Sequence, residues 1–238
     1  MVASRRPDLA LGVCLLNATP FWSSAPNPET EPEAAARFPW DARVGTAPLL
    51  LRAAALAWWG VLRSPAAVKA LLRLVYTDAT RLDDAFVAAI LEPTRRPQAA
   101  DVFTSILFSP RPPRAFDAML SSLVCPVSLV YGREDPWVVP LWGQRAKRAL
   151  PGATYYEVSP AGHCPHHERP EIVNALVKGW TEAVLAGRSV PLADGSTLCV
   201  EAPGEGGRPP SRVTAALVDG SPRNVFEKAD AAKYKSEQ

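Results

Sequence analysis

The sequence contains very little histidine: only three of its 238 residues, at positions 163, 166 and 167. Imidazole is the side chain best suited to proton transfer near neutral pH, and it is also a common metal ligand. Because histidine occurs nowhere else, chemistry that needs imidazole is confined to residues 161–170, Ala-Gly-His-Cys-Pro-His-His-Glu-Arg-Pro. The surrounding sequence has to distinguish an acid–base centre from a metal site.

Paired cysteines and long apolar runs are missing as well. The cysteines lie far apart, without a Cys-x-x-Cys pair: Cys14, Cys125, Cys164 and Cys199. This spacing argues against a disulfide framework or a structural zinc site and predicts a reducing compartment. The most apolar stretch, residues 48–62, is interrupted by Arg52 and is too short to cross a bilayer, so we expect no transmembrane segment. We find no secretory signal.

Neither sign of charge is in excess. The 26 Lys and Arg residues against 24 Asp and Glu residues leave a net charge of +2. Without a basic patch, we expect no nucleic-acid partner. With 47% hydrophobic and 21% charged residues, the composition is that of a soluble globular protein. Proline is abundant, and its clusters in residues 20–39, 93–113 and 203–222 predict loops or linkers.

Short apolar runs alternate with helical patterns along much of the chain. Residues 9–17, 124–131 and 153–158 predict strands, the first of them buried on both faces. A helix is predicted over 140–150, and a longer one starts at Pro170. Strands joined by right-handed helical crossovers form a parallel sheet, so the sequence predicts an α/β fold.

Two other regions interrupt this alternation. Between residues 53 and 108 the apolar spacing predicts about four helices with no strand between them, and 115–123 predicts another helix. Beyond residue 187, the segment 189–202 predicts a hairpin because Asp-Gly at 194–195 is a tight-turn signal. Residues 212–219 predict one further strand.

Two polar side chains follow neighbouring strands of the predicted sheet. Asp135 comes after the second strand, and His163 follows the third, 28 residues later. Ligands of parallel sheets bind at the carboxyl ends of the strands, and this spacing is about one βαβ unit, so both side chains can lie at one edge. A carboxylate that accepts the Nδ1 proton of histidine leaves the other ring nitrogen free as a general base.

Other interpretations of these residues remain open. Asp135 could be a turn residue before Pro136, with Glu134 a weaker substitute as the acid. His163 could be a structural loop residue. A metal site is disfavoured because adjacent residues rarely converge tetrahedrally and no distant ligands are present; its four candidate ligands are His163, Cys164, His166 and Glu168. We therefore expect no metal and no cofactor.

The amino-acid sequences around Asp135 and His163 resemble the α/β-hydrolase family. Residues 126–137, an apolar strand followed by Tyr-Gly and Asp-Pro-Trp, are similar to that family's seventh strand and acid turn. Residues 162–170 are similar to its histidine loop and last helix. The resemblance covers about residues 1–187. It implies that Asp135 is the acid of a catalytic triad and that His163, rather than His166 or His167, is its base.

A narrower resemblance involves residues 15–22, Leu-Leu-Asn-Ala-Thr-Pro-Phe-Trp, together with the histidine segment. Both are similar to the pheophytinase-like chloroplast branch of the family, which hydrolyses the phytol ester of pheophytin. The resemblance implies an apolar ester substrate and a chloroplast location, with the cytoplasm as the alternative. Phe21, Trp22 and Trp137 could line the pocket for such a substrate, or simply pack in the core.

The same resemblance divides the chain into four parts. Residues 1–20 would hold a core strand and the end of the preceding helix, and residues 21–112 a helical cap. Residues 113–187 would form the C-terminal half of the hydrolase core, and 188–238 a tail with a hairpin and a flexible end. The sequence carries no indication of the oligomeric state.

One expected motif is missing. The family places its nucleophile on a Gly-x-Ser-x-Gly elbow that precedes the acid and the histidine. The nearest match, Gly-Arg-Ser-Val-Pro at residues 187–191, lacks the last glycine and follows the histidine. We expect the elbow to lie upstream, in which case the 238 residues are a fragment that is inactive alone. Two alternatives remain: a capped hydrolase with an aspartate nucleophile, such as an epoxide hydrolase or dehalogenase, and a non-catalytic interaction module.

Overall fold

The structure, a computed structural model, describes residues 2–19, 31–37, 49–108, 116–188, 197–202 and 211–217. In chain order its helices and strands are α1 (Val2–Arg5), β1 (Val13–Leu16), α2 (Pro32–Arg37), α3 (Leu49–Leu62), α4 (Pro65–Val75), α5 (Asp84–Leu91), α6 (Ala99–Phe108), α7 (Phe116–Ser121), β2 (Val127–Gly132), α8 (Leu141–Ala149), β3 (Thr154–Ser159), α9 (Pro165–Glu168), α10 (Pro170–Leu185), β4 (Thr197–Ala202) and β5 (Ser211–Leu217). Short 3-10 helices cover Pro7–Leu9, Ala79–Arg81 and Glu92–Arg95.

The described residues fall into two compact units. The first, from residues 1–19, 75–78 and 117–238, contains all the described strands; the second, from 20–74 and 79–116, contains α2–α6. Residues 75–78 lie within the predicted cap but group with the strands. The four predicted parts of the chain, with boundaries at 20, 112 and 187, stay a prediction.

The first unit contains a five-stranded sheet in the order β1-β2-β3-β5-β4. β1 and β3 flank β2 in parallel, as predicted, and α8 connects β2 to β3. β1 is shorter than the predicted strand over 9–17, and its four residues are half-buried rather than buried on both faces. The prediction of a fully buried strand is therefore wrong, because among the described strands β1 pairs with β2 alone.

The core of this unit lies between the sheet and α10. β2 is buried along its whole length, and Val130 packs in one cluster with Val158 of β3. Ile172, Val173 and Leu176 of α10 pack in the same cluster, and burial of each such side chain contributes roughly 1.5–3 kcal/mol. The helix begins at Pro170 and ends before Gly187, as predicted. That glycine adopts the left-handed conformation typical of a helix C-terminus, with φ of 63°.

The chain after residue 188 adds to the same sheet. β5 runs antiparallel to β3, and β4 runs antiparallel to β5. β5 corresponds to the strand predicted over 212–219, and its Val213 and Ala215 belong to the core cluster. The turn predicted at residues 194–195 lies outside the described residues. The tail thus contributes strands to the sheet that contains β1–β3, which the sequence did not indicate.

The second unit is helical, as the apolar spacing predicts. Trp59 of α3 packs against Phe103 of α6, with ring centroids 4.8 Å apart. Asp83 caps α5 by accepting a hydrogen bond from the N–H of Phe86 at 2.7 Å. α2 lies in a segment predicted to be irregular. Pro32 in its first turn and the Glu-Ala-Ala-Ala-Arg that follows explain why a short helix forms there.

Membrane-spanning helices were searched for in the described parts of the chain. Within them, no helix has both the length and the sustained hydropathy that crossing a bilayer requires.

Candidate active site

Asp135 lies just beyond β2, and its carboxylate accepts hydrogen bonds at both oxygens. Oδ1 accepts from the backbone N–H groups of Trp137 at 2.8 Å and Val138 at 3.0 Å. Oδ2 lies 2.8 Å from Nδ1 of His163, and the Asp135 side chain is 0% exposed. Burial alone would raise the pKa of Asp135, but the hydrogen bonds from His163 and from the two backbone N–H groups outweigh it and hold the pKa below its ordinary value. Asp135 is therefore an ionised acceptor at neutral pH.

His163 follows β3 in the loop that leads to α9. Its backbone N–H donates to the carbonyl of Val75 at 2.9 Å, and its side chain remains 23% exposed. With Nδ1 directed at an ionised carboxylate, Nε2 is the ring nitrogen that can exchange a proton with a substrate. The spacing of 28 residues thus brings the two side chains into contact, as the sequence predicted. Their catalytic roles stay a prediction.

Two glycines allow the strand ends and the histidine loop to approach this closely. A Cβ on Gly132 would collide with the carbonyl oxygens of Gly162 and Ala161. A Cβ on Gly162 would collide with the carbonyl of Val75. Neither glycine has a positive φ, so they are needed for close approach of the backbone and not for an unusual backbone conformation.

Glu134, the alternative acid, is engaged elsewhere. Its Oε1 accepts from the hydroxyl of Ser159 at 2.6 Å, and its Oε2 from the N–H of Ala161 at 2.8 Å. Burial raises the pKa of Glu134 in spite of these hydrogen bonds. Its contacts tie the end of β3 to the turn after β2. Asp135 and not Glu134 is thus the carboxylate that meets His163.

Glu168 organises the histidine loop from its other side. It is 0% exposed, and its Oε1 accepts from the N–H of Gly162 at 2.7 Å. Its Oε2 accepts from the N–H and the hydroxyl of Thr77, at 2.7 and 2.5 Å, and from the N–H of Asp78 at 3.2 Å. The carboxylate therefore fixes residues 75–78 to the loop that carries His163. The sequence analysis had considered Glu168 only as a metal ligand.

A second polar side chain that sequence reasoning missed is Asn17, the residue after β1. Its side-chain NH₂ donates to Oδ2 of Asp135 at 2.6 Å and to the carbonyl of Gly162 at 3.2 Å. Its Oδ1 accepts from the N–H of Gly132 at 2.8 Å. The available signal was its position: a polar residue closing an apolar strand, at the same sheet edge as Asp135 and His163.

Among the predicted pocket residues, Trp137 lies beside the histidine. Its ring meets that of His163 edge to face, with centroids 5.5 Å apart, and it is 47% exposed. The indole is thus half-exposed beside the His163 ring, and its predicted role in a substrate pocket stays a prediction. Phe21 and Trp22 lie outside the described residues.

The other residues of the histidine window have different surroundings. His167 packs edge to face on Tyr76, with centroids 5.5 Å apart. Burial raises the pKa of the Cys164 thiol, which works against the thiolate that a metal would need. Within the described residues, no group of three or more His, Cys, Asp and Glu side chains has the geometry of a metal site.

The family of the chain is given by a match to a protein-family model. Residues 1–176 match the model of the alpha/beta hydrolase family. The chain belongs to this family, as the acid turn and the histidine loop predicted.

Its individual relatives include a plant enzyme. The chloroplastic pheophytinase of Arabidopsis thaliana is 42% identical over 197 residues, which are 81% of this chain and 40% of that protein. The predicted resemblance to the pheophytinase-like branch is confirmed. The chain spans about two-fifths of the length of this curated relative.

Solved structures similar to the chain include two enzymes of low sequence identity. One is an esterase of Thermogutta terrifontis, 18% identical, covering 76% of this chain and 59% of its own, with a TM-score of 0.49. The other is an enol-lactonase of Burkholderia xenovorans LB400, 20% identical, covering 76% and 60%, with a TM-score of 0.46.

Proposed function

We propose that this chain supplies the acid and the base of a serine-type carboxylic ester hydrolase that cleaves the phytol ester of pheophytin. The observation that carries the proposal is the contact of 2.8 Å between Nδ1 of His163 and a buried Asp135 carboxylate. An ionised acid holding the Nδ1–H tautomer of a partly exposed histidine is the arrangement that general-base catalysis requires.

In this mechanism, Nε2 of His163 removes the proton from the nucleophilic hydroxyl as that oxygen attacks the ester carbonyl. Asp135 stabilises the imidazolium that forms. The imidazolium then returns the proton to the departing alcohol oxygen, leaving an acyl-enzyme. His163 next removes a proton from water, whose attack on the acyl group releases the carboxylic acid and restores the hydroxyl nucleophile.

The nucleophile itself is proposed to lie outside the 238 residues, because they contain no Gly-x-Ser-x-Gly. We expect the chain by itself not to hydrolyse esters. Without a nucleophile there is no group for the His163–Asp135 pair to activate, and without an oxyanion hole the transition state is not stabilised. We propose that the complete enzyme carries the elbow upstream of Met1.

The substrate proposal rests on the 42% identity to pheophytinase and on the half-exposed Trp137 beside His163. A phytyl ester presents a long apolar alcohol, and an indole next to the proton donor can pack against it. The chloroplast location is proposed on the same relative, which is chloroplastic.

The test is an assay of the polypeptide encoded by the complete reading frame that includes these 238 residues, with pheophytin and a simple aryl ester as substrates. We expect His163→Gln to lower kcat by about 10⁴-fold or more, and Asp135→Asn by roughly 10⁴-fold. His166→Gln is the matched control in the same window, and we expect it to change kcat little.

Two outcomes would contradict the proposed reaction, and a third would contradict only the proposed substrate. Ester hydrolysis by the 238 residues alone, lost in His163→Gln, would mean that the nucleophile lies within them. An aspartate at the upstream elbow would indicate an epoxide hydrolase or dehalogenase instead. Cleavage of the aryl ester without cleavage of pheophytin would retain the reaction type and reject the substrate.

A further inference from the structure

Asn17 occupies an unusual backbone position at the carboxyl end of β1. Its φ is 43°, the one positive value among the described non-glycine residues, and the residue is 8% exposed. Asparagine tolerates the left-handed region better than most side chains, but glycine occupies it at less cost. A buried asparagine at such a position suggests that the hydrogen bonds of its side-chain amide are needed there.

The amide of Asn17 joins three segments that are far apart in sequence. It receives a hydrogen bond from Gly132 at the end of β2 and donates to Gly162 in the histidine loop. Its shortest contact, at 2.6 Å, is with Oδ2 of Asp135. This is the same oxygen that lies 2.8 Å from Nδ1 of His163.

These contacts complete the surroundings of the Asp135 carboxylate. An ionised carboxylate has about four acceptor positions, and here they meet two backbone N–H groups at Oδ1, and the Asn17 amide and the His163 ring at Oδ2. The amide and the ring share Oδ2, so the hydrogen bond from Asn17 restricts the orientation in which this oxygen can accept a hydrogen bond from Nδ1. Surrounded by these donors, the Asp135 side chain is 0% exposed to solvent.

We propose that Asn17 is a positioning residue that orients the Asp135 carboxylate toward His163 and shields their hydrogen bond from water. Its importance for catalysis rests on the proposed function. The orientation itself can be tested in the 238-residue chain without an enzymatic assay.

The readout is the Nδ1–H proton of His163, observed by NMR in protein with ¹⁵N-labelled histidine and assigned by its loss in His163→Gln. We expect this proton to exchange slowly with solvent in the unmodified chain. In Asn17→Gly, which keeps the backbone conformation without strain, we expect exchange to be faster by roughly tenfold or more. That factor corresponds to the loss of one hydrogen bond to a charged group.

A second variant, Asn17→Asp, changes the amide to a carboxyl of the same shape. Two carboxyl groups in contact cannot both ionise readily, so the pair should retain a proton above the usual range of a carboxylic acid. While that proton is present, the introduced carboxyl donates it to Asp135 in place of the amide; once it is lost, the two charges repel. We therefore expect an Nδ1–H exchange rate that rises steeply with pH in N17D, beyond the pH dependence of the unmodified chain.

Ser128→Ala is the matched control. Ser128 is 2% exposed, accepts from the Thr154 hydroxyl at 3.0 Å, and lies on β2 away from the acid. This variant weakens the same sheet without touching Asp135, so the exchange rate should stay near that of the unmodified chain. An equal acceleration in Ser128→Ala and Asn17→Gly would reduce the effect to lost stability and overturn the proposal.

Unchanged exchange in Asn17→Gly would also overturn it. If Asn17→Gly does not fold, N17D decides: the same pH dependence as in the unmodified chain rejects the proposal, and a steeper one supports it. Failure of the complete enzyme to cleave esters would reject the proposed function while leaving the NMR result valid.

Discussion

The two units of the molecule are stabilised in different ways. In the strand-containing unit, buried side chains hydrogen-bond across long stretches of sequence, as Asn17 does with Asp135 and Glu168 with Thr77. In the helical unit, side-chain hydrogen bonds within the helices and their caps join residues three apart, as in the capping of α5 by Asp83 and the bond from Thr104 to Asp101.

One element of each unit, β2 and α3, also shows a difference in the burial of apolar residues. β2 is completely buried, whereas α3 exposes large apolar side chains, among them Leu49 at 87% and Trp58 at 55%. From this difference we infer that the strand-containing unit holds a few polar side chains in fixed positions. The helical unit is built from local structure and retains apolar surface. Substitutions should therefore lower the free energy of unfolding far more in the strand-containing unit than in the helical unit.

The largest effect is expected for Glu168→Ala, which would leave four donors without their acceptor: the buried N–H of Gly162 and three part-buried donors of Thr77 and Asp78. We expect the free energy of unfolding to fall by about 3–5 kcal/mol, because each unsatisfied buried donor costs roughly 1–3 kcal/mol and relaxation recovers part of this. Denaturant unfolding measures the loss. Glu182→Ala on α10, whose side chain is 59% exposed, is the control and should change it by less than about 0.5 kcal/mol.

Replacing a glycine with alanine should change the free energy of unfolding in opposite directions in the two units. Gly132→Ala places a Cβ against the backbone of residues 161 and 162, and we expect a loss of about 3 kcal/mol or more. Gly60→Ala lies inside α3, where the added Cβ meets nothing among the described residues within 4 Å beyond its chain neighbours and the nearby helix backbone, and should instead raise the free energy of unfolding by roughly 0.5–1 kcal/mol. Amide hydrogen exchange in β2 and in α3 measures each effect locally. Equal signs would refute the contrast between the units.

The acid dependence of stability should reflect Asp135. Its pKa in the folded chain is held below the unfolded value, which is about 3.9, so the ionised form stabilises the fold above that value. This stability is lost as the pH falls through the folded pKa. Denaturant midpoints measured between neutral pH and about pH 2.5 should fall less steeply below about pH 4 in Asp135→Asn. Identical acid slopes in both proteins would contradict the assignment.

The smallest effect is expected at an ion pair of the helical unit. Lys69 and Asp84 lie 2.9 Å apart, but the Asp84 side chain is 97% exposed. A double-mutant cycle should give a coupling of about 0.5 kcal/mol or less, because water and salt screen such pairs. Added salt should weaken it further. A coupling comparable to the loss in Glu168→Ala would show that this unit, too, depends on specific polar pairs.

The sequence could predict what depends on order and spacing along the chain. The scarcity of histidine directed attention to His163, and the distance to Asp135 predicted that the two would share an edge of the sheet. The helices from 49 to 108 follow from apolar periodicity, which is a local property. These predictions succeeded because each rests on residues in one segment or on the regular geometry of a βαβ unit.

What the sequence could not predict depends on contacts between distant segments. Asn17 reaches Asp135 only because β1 lies beside β2 in a particular register, with Leu16 opposite Val130. Glu168 reaches Thr77 across 91 residues, and no pattern near Thr77 indicates it. β1 was expected to be buried because its residues are apolar, yet burial is set by its neighbours in the sheet and not by composition.

The pairing of β5 with β3 has a consequence for the behaviour of the molecule in solution. A strand with one open side presents unpaired N–H and C=O groups on which another chain can add. β5 occupies that side of β3 along residues 156–159, next to the histidine loop. β5 and β4 therefore cover β3 and, among the described strands, move that edge of the sheet to β4, away from the histidine loop. Shortening the chain after α10 would leave this side of β3 open as a template for aggregation.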